Sequence, residues 1–227
     1  MKMTAYVRLF FHKVYDWLLH FRRGHTPPHR GGYIAVADGF VVVPNPGLPR
    51  LRHGLSLVSD ATLVYTSPRT RGELYLGNAC NSADLYWLKC HNITSIVNCT
   101  EELPNLFAFN NIHYYRLDVR DLRGARLFRK KHSAKHLIQY IHRNMSLGNN
   151  VLVHCFAGSS RSAAICLLYQ MYVRVYQETV YAAYDDLRSK RPVVHVNSDF
   201  LCQVTMALAQ FERDGAYAIT NTPQEIK

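Results

Sequence analysis

The segment His154 to Ser162, HCFAGSSRS, sets one cysteine directly after the apolar run Val151-Leu152-Val153 and an arginine six positions later, at the head of AAICLLYQMY. A strand, a glycine-containing turn and a helix in that order aim several backbone N–H groups and the positive end of a helix dipole at one point, where an anion belongs. A cysteine beside a helix N-terminus and a cation ionises readily, and its thiolate is a nucleophile. Arg161 supplies a planar fork suited to two oxygens of a phosphate, holding phosphorus in line with the Cys155 sulfur. Phe156, Ala157, Gly158, Ser159 and Ser160 form the turn between them, with small residues that let the backbone wrap a phosphate closely. Ser162 is placed to donate to the sulfur and ease its departure. The spacing of cysteine and arginine alone is a weak signal; the preceding strand, the glycine and the following helix give it weight.

Attack on a phosphate ester requires an acid to protonate the departing oxygen and then a base to activate water. Asp118 and Asp121 compete for that role. The alternating run Ile112 to Val119 reads as a strand containing Asp118, whereas Asp121 lies beyond it in RDLRG, where a loop residue reaches a site at the strand termini; Asp121 is therefore the choice. His154 reads as an organiser of the turn. Cys99 ends a strand expected beside that of Cys155, so it is a buried thiol with the option of resolving an oxidised Cys155.

Those residues need elements to hold them. From about Ser67 the chain alternates strand and helix, the mark of an α/β domain with a mainly parallel sheet. ELYLGN reads as a strand ending in Gly77, SADLYWLKC as a helix capped by Ser82, ITSIVNCT as a β-branched strand, and RKKHSAKHLIQYIHRNMSLGNN as a helix that stops at Gly148. VLVHC is short and wholly apolar, as in the middle of a parallel sheet. Three further helices are expected: Ser162 to about Tyr176, Glu178 to Ser189 and Asp199 to Arg213, with Pro192 and the capping residues Asn197 and Ser198 as punctuation. Upstream, Tyr33 to Ala37 and Phe40 to Val43 flank Asp38-Gly39 as a hairpin. The expected division is an extension at 1–66, a catalytic domain at 67–215 and a tail at 216–227.

HCFAGSSRS resembles the H-C-x-A-G-x-S-R-S signature of the dual-specificity phosphatases, among the cysteine-dependent protein tyrosine phosphatases, at every fixed position. The resemblance runs from about Ser67 to Phe211, with YYRLDVRDL similar to the family's acid-bearing segment, although Asp118 stands where the family has a proline, and RPVVHVNSDFLCQ similar to its closing helix. It implies an atypical small member, with a central mainly parallel sheet flanked by helices and a two-step reaction through a phosphocysteine. Asn197 matches the family's supporting residue. No cofactor is implied.

Composition agrees with a folded chain in a reducing compartment and narrows its partners. Forty-eight per cent hydrophobic residues exclude a disordered chain, and a net charge of +11 favours anionic partners. Six scattered cysteines form no disulfide framework, and without a C-x-x-C pair no zinc site is expected. The turn adds no lysine or arginine for a multiply charged inositol phosphate, which favours phosphorylated proteins. Against that, Arg120, Arg123, Arg126, Arg129, Lys130 and Lys131 offer acidic peptides, phosphoinositides or RNA 5′ ends a basic surface, nucleic acid being the least expected. A phosphoprotein-binding scaffold with incidental turnover is another class, but intact Cys155, Arg161 and Asp121 argue against it; a rhodanese-type sulfurtransferase has no need of Asp121. Val7, Phe10, Phe11, Val14, Trp17, Leu18 and Phe21 recur at helical spacing among basic residues. That pattern suits a helix packed on the domain, a membrane-surface anchor or a mitochondrial transit segment. The expected location is cytoplasmic, or mitochondrial or membrane-associated by way of that segment.

Overall fold

The computed structural model describes residues 60–129, 133–173 and 179–215, and upstream the backbone of two strands, β1 (Tyr33–Val36) and β2 (Gly39–Val42). These two pair antiparallel with Tyr33 opposite Val42, the expected hairpin, with Gly39 already in the second strand. The amphipathic pattern of Val7 to Phe21 and the tail from 216 lie outside the described residues.

The main sheet has five strands: β3 (Thr62–Thr66), β4 (Glu73–Gly77), β5 (Ile93–Asn98), β6 (His113–Arg116) and β7 (Asn150–His154), in the order β3-β4-β7-β5-β6. All neighbours run parallel except β3, which is antiparallel to β4 at one edge. β3 precedes residue 67, so the sheet draws on the stretch read as an extension. β7 is central and buried on both faces, which is why it reads as an unbroken apolar run rather than an alternating one. Val151 and Val153 face one cluster with Leu74, Leu76 and Val97, while Leu152 faces the other with Tyr75, Leu88, Ile93 and Ile96, the period-two alternation of a strand.

α1 (Ala79–Ala83) and α2 (Leu85–Cys90) stand where one helix is expected. Ser82 caps neither: Asn78 caps α1 through a reciprocal bond with Asn81, Asp84 breaks the run and caps α2, and the Ser82 hydroxyl donates to Ala79 O. The short Asx side chains accept from N–H groups two or three residues on, which stops one helix and starts the next. α2 covers the sheet face of Leu152; α3 (Ser133–Ser146), α4 (Arg161–Val173), α5 (Val180–Lys190) and α6 (Ser198–Arg213) build the cluster on the other. α4 is buried around nearly its whole circumference, packed on the sheet and on α5 and α6, so it has no amphipathic stripe. It begins at Arg161 rather than Ser162. α5 starts at Val180, capped by Thr179, and α6 is capped by Asn197, with Ser198 its first helical residue.

Candidate active site

β7 delivers Cys155 to the sheet's C-terminal edge, where the following turn meets the loops after β4, β5 and β6. Cys155 is buried, and its sulfur receives the Gly158 N–H at 3.3 Å and the Ser162 hydroxyl at 3.1 Å. Gly158 has φ +68°, and a Cβ there would lie 2.7 Å from Gly77 O, so only glycine lets the turn close onto β4. Phe156 and Ala157 are half-buried at the mouth, Ser160 is buried, and Ser159 O accepts from His195 N–H at 2.9 Å.

Arg161 occupies the first turn of α4 with 5% exposure. Its Nη1 donates to Glu102 Oε1 at 2.7 Å and to Val119 O at 3.0 Å, which fixes the plane of the fork. Its buried Nε–H has no hydrogen-bond partner among the described residues, the arrangement a phosphate oxygen would complete. Burial opposes the charge, but Cys155, Glu102 and Asp121 together hold its pKa above the ordinary arginine value.

Asp121 joins this group. One carboxylate oxygen accepts from Ser160 Oγ at 3.0 Å and the other lies 3.7 Å from Arg161 Nε. Asp118 is elsewhere. β6 ends at Arg116, two residues short of Asp118, which is therefore not a strand residue; its carboxylate pairs with Arg116 Nε at 2.7 Å and is 52% exposed. Leu117 N–H makes the last bond of the β5–β6 ladder, to Asn98 O, and Val119 N–H then turns back onto Leu117 O, which takes the chain out of the sheet. α6 holds the acid loop from behind: Asp199 accepts from Gly124 N–H at 2.7 Å, and Gln203 bonds Leu127 N–H and Ala125 O, each at 2.9 Å.

His154 is buried, and burial above all pushes its imidazole down to about 4, so it is neutral at pH 7. Asn197 supports the site through its backbone, donating N–H to Ser160 Oγ at 3.3 Å, while its side chain caps α6. Cys99 and Cys155 each follow the end of neighbouring strands, β5 and β7, with Cys99 N–H bonded to His154 O at 2.9 Å. Burial above all pushes its thiol well up, with Cys155 and Cys166 adding to the shift. Of the basic run, Arg120 pairs with Glu101 and Arg129 donates to Asp118 O, while Arg123 and Arg126 are exposed; Lys130 and Lys131 lie outside the described residues.

Four contributors were not anticipated. Glu102 orients Arg161. Asn98 shapes the loop that carries Glu102, with its amide bonded to Leu103 O, Asn105 Oδ1 and Thr100, and Arg116 clamps the same loop through Leu103 O and Glu101 O. Arg191 donates to Gly158 O at 3.0 Å. Glu102 follows the end of a parallel strand, where sites of α/β sheets form, and that position was its one sequence signal.

Residues 74–210 match the family model described as the dual specificity phosphatase catalytic domain. The chain is 31% identical over 160 residues to human dual specificity protein phosphatase 21, a match spanning 70% of this chain and 81% of that one. It is 28% identical over 181 residues to mouse dual specificity protein phosphatase 14, across 79% and 87% of the two chains. Of Drosophila melanogaster dual specificity protein phosphatase Mpk3, 36% identical over 134 residues, it spans 31%. Among solved structures it is similar to DUSP15, with 31% identity, a TM-score of 0.58 and coverage of 69% of this chain and 94% of that one.

Proposed function

We propose, for a chain that belongs to the dual specificity phosphatase family, that it hydrolyses phosphotyrosine and phosphoserine or phosphothreonine in proteins, with Cys155 as nucleophile, Arg161 as phosphate clamp and Asp121 as acid and base. The observation that carries the reading is the convergence on one sulfur of the Gly158 N–H and the Ser162 hydroxyl, on the turn that leads into the buried Arg161 with the Asp121 carboxylate 3.7 Å from its Nε.

In the first step the Cys155 thiolate forms a bond to phosphorus as the ester P–O bond breaks, and protonated Asp121 gives its proton to the departing alkoxide or phenoxide. In the second, the Asp121 carboxylate takes a proton from water, the water oxygen bonds to phosphorus, and the S–P bond breaks. The sulfur leaves as a thiolate that the Ser162 hydroxyl stabilises, and inorganic phosphate is released. Arg161 and the backbone donors act on charge that develops on the equatorial oxygens.

Aryl phosphate hydrolysis tests the roles. Cys155→Ser should be inert, and Asp121→Asn should lose ~10²- to 10⁴-fold in rate, the worth of a general acid. An active Cys155→Ser protein would end the reading. A turn without added lysine or arginine supports protein substrates, so phosphopeptides should outrun soluble phosphoinositides and RNA 5′-triphosphate; the reverse order would displace that assignment.

The basic amphipathic pattern from Val7 to Phe21 supports a membrane-surface partner for an intracellular enzyme. Sedimentation of the full chain with anionic vesicles, lost at high salt, is the expected result; equal binding to neutral vesicles would refute the electrostatic attachment.

A further inference from the structure

Three backbone carbonyls of the Cys155–Ser160 turn are held from outside it. Phe156 O accepts from Ala79 N–H at 3.0 Å, Gly158 O from Arg191 Nε–H at 3.0 Å, and Ser159 O from His195 N–H at 2.9 Å. In a trans peptide the following N–H points opposite to the carbonyl. Drawing these oxygens outward therefore turns the N–H groups of Ala157, Ser159 and Ser160 to the inner side, where Gly158 N–H already meets the sulfur. Two of the outer anchors are backbone groups, which any side chain would leave in place. The third is the Arg191 side chain.

Arg191 follows α5 directly and is 2% exposed. Its Nη1 donates to Asp60 O at 2.9 Å and to Thr62 Oγ1 at 3.3 Å, so one rigid fork ties the edge of the sheet to the Gly158–Ser159 peptide. The missing Gly158 side chain makes this approach feasible, because a Cβ there would stand 2.8 Å from Arg191 Nη2. Buried, the cation also lies close enough to Cys155 to interact with its charge.

We propose that Arg191 is a positioning residue of the reaction: by holding Gly158 O outward it fixes the Gly158–Ser159 peptide so that Ser159 N–H donates to a phosphoryl oxygen of the substrate. The proposal rests on the reading that this turn binds phosphate. Lysine at 191 keeps the charge, but a single ammonium lacks the planar fork that spans Gly158 O and the β3 edge. The peptide is then free to rotate, and a hydrogen bond to a charged oxygen is worth ~10- to 100-fold in affinity.

Tungstate, a phosphate-shaped oxyanion, is the probe, as competitive inhibitor of aryl phosphate hydrolysis by the full chain. For Arg191→Lys, the tungstate inhibition constant and KM are expected to rise together by ~10- to 100-fold, whatever the change in melting temperature. A protein that melts earlier but keeps the wild-type inhibition constant would show Arg191 to be merely structural and overturn the assignment. A wild-type enzyme insensitive to tungstate would instead unseat the phosphate reading of the turn. Should Arg191→Lys not fold, the wild-type amide spectrum decides: the Ser159 N–H resonance is expected to move downfield on adding tungstate. A Ser159 signal that stays fixed while Gly158 shifts would overturn the proposal.

Discussion

At the residue scale, Glu102 and Arg161 show orientation and charge working in opposite directions. Glu102 holds the guanidinium plane at 2.7 Å but also neutralises a cation that must attract a phosphate. Glu102→Ala removes both effects, and the untethered fork should raise KM for an aryl phosphate ~10-fold, the worth of one hydrogen bond to a charged group. Glu102→Gln keeps an acceptor and drops the charge, so its KM should stay within ~3-fold of wild type. Steady-state kinetics on the two variants separates the terms; equal KM increases would assign the effect to charge alone. The sequence announced Cys155, Arg161 and Asp121 because their chemistry is local or lies just past a strand. Glu102 and Arg191 were not legible, since each acts on a partner brought close only by the sheet and by the α5–α6 connection.

At the element scale, the strand–turn–helix unit around Cys155 was legible apart from its helix start, because an apolar strand, a glycine and a buried helix follow one another without interruption. The break between α1 and α2 was not, because Asn78 and Asp84 act as caps within a stretch whose apolar spacing suits one helix. The early end of β6 was hidden for a related reason: Leu117 and Val119 continue an alternating pattern but serve the core of the acid loop. The turn itself yields the sharpest test. Gly158→Ala must place a methyl 2.7 Å from the Gly77 carbonyl at φ +68°, and backbone cannot give way as a flexible side chain can. The variant should melt earlier, and kcat/KM should fall by ~10²-fold, as a misplacement of about 1 Å does. A variant with wild-type kcat/KM would mean that the turn tolerates a different path.

At the scale of the whole molecule, His154 links stability to acidity. Its folded pKa of about 4 lies below the ~6.5 of an exposed histidine, so between these values the unfolded chain takes up a proton that the folded chain refuses. The folded state is therefore fully favoured above about pH 6.5 and loses roughly 3 kcal/mol as pH falls towards 4. Urea midpoints at pH 7 and pH 5 should differ for the wild type and converge for His154→Gln; the same difference in both proteins would remove His154 as the cause.

The outward bonds of the phosphate turn also bear on how the molecule is made. Arg191 reaches back 33 residues to Gly158, and His195 grips Ser159 from still further along the chain. A ribosome that has released HCFAGSSRS but not yet residues 191–195 has produced every reacting group but only one of the three outer anchors of the turn, the Ala79 N–H. Catalytic competence arrives late in synthesis, after the sheet is complete, and a chain ending before Arg191 is expected to be silent however well its strands have paired.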